Sequence, residues 1–194
     1  ALFSAAQKHQ APFIVQTSPA AREYISAKMI LSHIETASRI YPDVVYAVHL
    51  DHGNESHVHD AIASGQYTSV MIDASHDPLK QNIVRTKKVV QQAHPKNISV
   101  EAELGVLSGV EDDLEVDEKN ALFTDPNAVV TFVKETHCDS LAVAVGTSHG
   151  AYKFSGGQGL RFDLLAEIQS KLPNFPIVLH GASQIDPDEV KRIN

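Results

Sequence analysis

Three histidines of the chain are each followed by glycine: His52-Gly53, His149-Gly150 and His180-Gly181. Two of them close an apolar run of strand length, His149 lies just past another, and a further run closes on Glu103. Three imidazoles with a fourth position left open or filled by a carboxylate make the ligand set of catalytic zinc. One strand-end histidine alone is ordinarily a hydrogen-bonded loop residue. Three beside glycine, which lets the backbone turn tightly and approach a ligand, point to a shared cation. Ser18, Asp51 and Asp73 also stand at strand ends. Asp51 and His52 are adjacent, so in a regular strand they would face opposite ways. Both reach one mouth only if the strand breaks there, and Gly53 permits that break. His49 shares the face of Asp51 and is read as structural. Glu101 and Glu103 also share a face. Glu103, nearer the mouth, is the better ligand, whereas Glu101 lies deeper and needs a partner, because an unpaired buried carboxylate is costly.

The elements that must position these groups alternate. Strands are expected at 12–18, 44–52, 69–74, 98–104, 140–146 and 177–180. Helices are expected at about 2–9, 19–40, 56–64 (with Gly65 as its C-cap), 78–93, 126–136, 162–171 and from 187 onward. A long polar stretch, 105–124, separates the fourth strand from its helix. Strands apolar on both faces and joined by helices imply a parallel sheet covered by helices. An open doubly wound sheet gathers ligand groups near one switch point, whereas a barrel gathers them from many strand ends on one face. The spread of polar strand ends favours an α/β TIM (β/α)8 barrel, with about six of its eight units present. The expectation is one domain over residues 1–194, lacking a strand at each end, so that the isolated segment would be inactive or poorly folded.

The chain has 194 residues, 43% of them hydrophobic, and a formal net charge of −8. That charge gives no basic footprint for nucleic acid. No apolar run approaches a membrane span, and the first residues are not a signal peptide. One cysteine, Cys138, allows no internal disulfide and suggests a reducing, cytoplasmic setting. Cys138 precedes a strand and reads as a small buried hydrophobe. Of the eleven histidines, His33, His57, His59, His94 and His137 fall on helices or turns and read as solvated, and His76 is ambiguous. The glycines at 156, 157 and 159 do not form a dinucleotide fingerprint, since no strand precedes them directly.

Five ordered stretches span almost the whole chain: 49–53 (HLDHG), 69–76 (SVMIDASH), 99–105 (SVEAELG), 146–154 (GTSHGAYKF) and 180–183 (HGAS). Together they resemble the class II, metal-dependent fructose-bisphosphate aldolases. The resemblance implies that His52, His149 and His180 bind zinc and that Glu103 coordinates it in some states. It implies that Asp51 is the acid/base at the C4 hydroxyl and Glu111 the base beside the ketone. Gly150, Lys153, Gly181 and Ser183 then surround a substrate phosphate and a monovalent cation, Na+ or K+. Ser18 stands at the phosphate and substrate end of the pocket, and Asp73 supports a ligand or touches substrate. A homodimer or homotetramer and a place in glycolysis are further implications.

Cleaving the C3–C4 bond of a ketose bisphosphate leaves a carbanion beside the ketone, so the reaction needs an electron sink; zinc is the one implied. The alternative sink, a Schiff-base lysine on an inward strand position, is not offered, since no strand core contains lysine. Most of the acidic run around Glu111 reads as solvated surface. Two other readings stand beside this one. A tagatose-1,6-bisphosphate aldolase differs at C4, and Thr147-Ser148-His149 resembles the fructose type more closely. A metal-dependent hydrolase could use the same barrel, but the His-x-His pair that many of those carry on their first strand is missing here.

Overall fold

The computed structural model describes residues 1–111, 114–116, 122–149, 159–182 and 185–193, with the backbone alone of 108–111, 114–116 and 148–149. The chain divides into two compact units, Ala1–Ile72 with Gln91–Val100, and Asp73–Val90 with Glu101–Asn194.

The first unit opens with α1 (Leu2–His9), whose apolar face buries Phe3 and Ala6. The Phe3 ring meets Phe13 and Tyr46 edge-on, at 5.1 and 4.9 Å between centroids. Phe13 and Tyr46 begin β1 (Phe13–Thr17) and β2 (Tyr46–Gly53), which pair in parallel from Phe13 opposite Tyr46 to Thr17 opposite Leu50. β2 pairs in turn with β3 (Ser69–Ile72). Leu50, Val70, Met71 and Ile72 are fully buried, as the continuous apolar runs of a parallel sheet require.

The single helix expected over 19–40 is two, α2 (Pro19–Ile25) and α3 (Ala27–Ile40). Ser26 breaks them with φ 62°, and its hydroxyl caps α3 by accepting the Met29 N–H. Ser18 caps α2 in the same way, with Pro19 in the first turn where its missing N–H costs nothing. α4 (Glu55–Ser64) starts at the Asn54 cap and ends, as the sequence indicates, on Gly65 in the left-handed region. α5 (Leu79–Ala93) and β4 (Ser99–Leu104) each run from one unit into the other.

The second unit continues β4 in parallel with β7 (Ser140–Val143), and β7 with β9 (Ile177–Val178). The helices α6 (Pro126–Thr136), α7 (Phe162–Lys171) and α8 (Pro187–Ile193) lie where expected. The strands before α7 and α8 end earlier than their apolar runs. At Gly146, φ is 104°, and a Cβ would stand 2.2 Å from the Gly159 carbonyl oxygen. Only glycine fits there, so β7 has already given way to a turn.

The polar stretch 105–124 holds structure that the sequence reading missed. β5 (Ser108–Glu111) and β6 (Leu114–Val116) form an antiparallel hairpin, and β5 also pairs in parallel with β8 (Ser148–His149). The stretch leaves and rejoins the unit through a two-residue clamp, with paired backbone hydrogen bonds between Val106 and Leu122 at 2.8 and 2.9 Å. Just beyond, the buried Thr124 hydroxyl donates to the Leu104 carbonyl at 2.5 Å and accepts the Ala144 N–H at 2.8 Å, bridging the ends of β4 and β7.

In chain order this is an α/β fold, a TIM (β/α)8 barrel in part, with about six of the eight units. Among the described residues no helix is long and apolar enough to cross a membrane.

Thr124→Val keeps the side-chain shape and leaves the Ala144 N–H and the Leu104 carbonyl only their longer mutual hydrogen bond at 3.4 Å, so it should cost about 1–3 kcal/mol in denaturant unfolding. Cys138 is buried, and burial pushes its thiol up from the ordinary 9.0 to about 11. The folded chain therefore holds that proton more tightly than the unfolded chain. The resulting stabilisation is present below pH 9.0 and is lost as pH rises through about 11. A thiol-alkylating reagent at pH 8 should label Cys138 quickly in denaturant and very slowly in the folded protein.

Candidate metal and catalytic centre

In the first unit, the end of β2 carries Asp51 and His52. The strand does break there, though not where expected. Leu50 lies opposite Val70 and Gly53 opposite Ile72, so β2 holds one residue more than β3 over this interval. The turn is made at His52, whose φ of 45° is left-handed. Gly53 serves a different end: a Cβ on it would meet Leu50 Cδ2 at 2.6 Å and the Met71 carbonyl oxygen at 3.0 Å. An extra residue in one strand re-aims the side chains that follow. Asp51 Oδ1 and His52 Nε2 stand 4.0 Å apart, with side chains 17% and 8% exposed. Two neighbours that a regular strand would send to opposite faces thus share one side.

Below them His49 is buried, its Nδ1 2.8 Å from the Ser69 hydroxyl, which agrees with the structural role read for it. Ser18 is half-buried at the end of β1, where its hydroxyl is engaged as the α2 cap.

The second unit carries the remaining described candidates. Asp73 follows β3 directly, and its Oδ1 accepts the Ser75 N–H at 3.0 Å and the Ser75 hydroxyl at 2.8 Å. Glu103, near the end of β4, is 2% exposed. Its backbone is fixed from α5, where the buried Asn82 amide donates to the Glu103 carbonyl at 2.9 Å and accepts the Thr86 hydroxyl. Glu101 has the partner that the sequence requires of it: His180 Nε2 lies 2.9 Å from Glu101 Oε1. Gly181 follows with φ 65°, turning the chain after His180.

By backbone register, His149 sits on β8 opposite Gly109, and Glu111 ends β5 opposite Leu114 at the tip of the hairpin. The segment of the third histidine is therefore hydrogen-bonded to the segment of the expected loop base. Gly150, Lys153 and Ser183 lie outside the described residues. Among the histidines read as solvated, His33, His59, His94 and His137 are exposed, but His57 is half-buried and its Nδ1 is buried. The N-terminal turn of α4 encloses it, and its carbonyl accepts from Arg22.

Taken unit by unit, Asp51 and His52 in the first, and Asp73, Glu103 and His180 in the second, offer atoms of the kinds that ligate a metal ion. Imidazole nitrogen with carboxylate oxygen suits zinc, and carboxylates this buried call for hydrogen bonds or a cation. The donor set fits the group that the sequence motifs imply.

The family model for class-II fructose-bisphosphate aldolase matches residues 1–194. The chain belongs to that family. It is 45% identical over 192 residues to the fructose-bisphosphate aldolase of Helicobacter pylori strain 26695, covering 99% of this chain and 62% of the relative. It thus spans about three-fifths of the length of the curated relatives it matches. Among solved structures, one from Coccidioides immitis superposes with a TM-score of 0.87 at 27% identity, covering 98% of this chain and 67% of that one. The YdjI aldolase of Escherichia coli K12 superposes at 0.79 with 33% identity, covering 98% and 65%. All five motifs fall within the matched residues.

Gly53→Ala must push Leu50 and the Met71 carbonyl aside. It should cost about 1–3 kcal/mol in unfolding experiments, as overpacking does.

Proposed function

We propose that the protein cleaves fructose 1,6-bisphosphate by a zinc-dependent aldol reaction, giving dihydroxyacetone phosphate and glyceraldehyde 3-phosphate. Family membership supports the reaction class, and relatives named as fructose-bisphosphate aldolases support the sugar. The observation that carries the reading is the break at the end of β2, which sets Asp51 beside His52. It makes an acid/base and a metal-ligating imidazole neighbours on one side of the strand.

On this reading His52, His149 and His180 hold zinc, with Glu103 as a fourth carboxylate ligand. Residues 1–194 belong to one barrel domain. Bound zinc supplies Lewis acidity at the ketone end of the sugar. The chain's own residues do the rest. Asp51 removes the C4 hydroxyl proton during cleavage and returns it during condensation. Glu111 moves the proton on the carbon beside the ketone from the hairpin tip, a position from which closure would exclude water. Gly150, Lys153, Gly181 and Ser183 hold a phosphate, with a monovalent cation beside it. Ser18 lies at the substrate end, and Asp73, which accepts two hydrogen bonds from Ser75, supports a ligand or touches substrate. A homo-oligomer in the cytoplasm, working in glycolysis, is the setting that goes with the reading.

The test uses the full-length protein. A chelator should abolish cleavage and added zinc should restore it. Asp51→Asn should lower kcat by roughly 10²–10⁴-fold, the usual worth of a positioned acid/base, with zinc content unchanged. Turnover that survives complete metal removal would sink the proposal. Side-by-side kinetics with tagatose 1,6-bisphosphate checks the sugar, and a higher kcat/KM for tagatose would replace fructose in the reading.

A further inference from the structure

Glu101 and His180 form a buried side-chain hydrogen bond, each side chain 8% exposed and the two held at 2.9 Å. Their strands do not adjoin. β4 pairs with β7, and β7 with β9, so His180, two residues past β9, reaches Glu101 across the intervening strand. The register shows what permits this. Glu101 lies opposite Ser140, and Glu103 opposite Ala142. Parallel partners share a face, so the strand between presents small side chains where the two long ones flank it.

A carboxylate accepts hydrogen bonds, so a neutral ring facing Glu101 through Nε2 carries its hydrogen there and its lone pair on Nδ1. We infer that Glu101 is a positioning residue: by taking the Nε2–H of His180, it fixes the ring and presents Nδ1 as the nitrogen that binds the metal. The inference rests on the proposal that His180 is a ligand. It separates two glutamates that share one face of β4, assigning ligand duty to Glu103 and orientation of a ligand to Glu101. A carboxylate behind a ligating imidazole sets its tautomer and raises its basicity.

The test measures zinc dissociation constants of the full-length apoprotein by competition with a chromophoric chelator. Glu101→Gln, close to glutamate in volume, should weaken zinc by roughly 10–100-fold, as loss of such a partner does elsewhere. Glu101→Ala should weaken it further; if that variant does not fold, Glu101→Gln carries the test alone. Because Glu101 acts through His180, the double variant Glu101→Gln/His180→Ala should bind zinc no more weakly than His180→Ala alone. Nitrogen-15 NMR of the histidine-labelled apoprotein should show His180 as the Nε2–H tautomer. Wild-type affinity in Glu101→Gln, beside a clear loss in His180→Ala, would overturn the inference and leave the ligand assignment standing. Additive losses in the double variant would overturn it equally. Wild-type affinity in His180→Ala would remove the ligand assignment itself.

Discussion

Consecutive side chains of a β-strand point to opposite faces, and the chemistry assigned to this chain depends on β2 breaking that rule at Asp51 and His52. An acid/base and a metal ligand are useful together only if both address the same substrate. The extra residue in β2 and the left-handed φ of His52 achieve this. A non-glycine residue held in that conformation costs on the order of 1–3 kcal/mol and persists only where its surroundings determine it. Here the surroundings are tight. Leu50 on one side of the break and Val58, in the first turn of α4, are buried, and Gly53 leaves no room for a Cβ between them. Asn54 then starts α4 at once through its cap, so the chain has no slack in which to relax the turn.

The second unit meets a different demand: carboxylates must be held in place where water is excluded. It does so by bracing backbones from behind. Asn82 and Thr86, polar residues buried on α5, fix the Glu103 carbonyl, and Thr124 ties the end of β4 to the segment after β7. Such buried polar pairs are worth little as net stabilisation but are expensive to break. They brace the strand ends, and the hairpin of β5 and β6 lies between the two residues of the Val106–Leu122 clamp. On the proposed reading the ligands stand on the braced strands and the proton on the carbon beside the ketone is moved from the hairpin.

Much of this was legible in the sequence, for physical reasons that can be named. Buried parallel strands read as continuous apolar runs, so the βα order was plain, and the strand-end histidines, Asp51 and Glu103 stood out as polar groups closing such runs. Glu101 was recognised as needing a partner, because burial of a carboxylate demands one, but nothing local could say that the partner lay 79 residues away. The break at Ser26 escaped notice because it lacks the glycine or proline that normally marks one. The hairpin was hidden by its charge, although Val110-Glu111 and Leu114-Glu115-Val116 alternate on either side of an Asp-Asp pair, a hairpin signal. Gly53 was picked out correctly for the wrong reason. It was read as a source of backbone freedom, whereas the neighbouring histidine adopts the unusual φ and the glycine supplies space.

The net charge of −8 and the proposed anionic substrate look at odds until the strand ends are considered. Asp51, Asp73 and Glu103 stand at or near strand ends, and carboxylates there oppose an anionic ligand. A dication among imidazoles and carboxylates reverses the local field, because charges interact far more strongly in a buried, water-poor site than across solvent. On the proposed reading, the same carboxylates that oppose a phosphate favour a cation. The cation on that reading serves electrostatics as well as the need for an electron sink, because it offsets carboxylate charge that would otherwise oppose an anionic substrate.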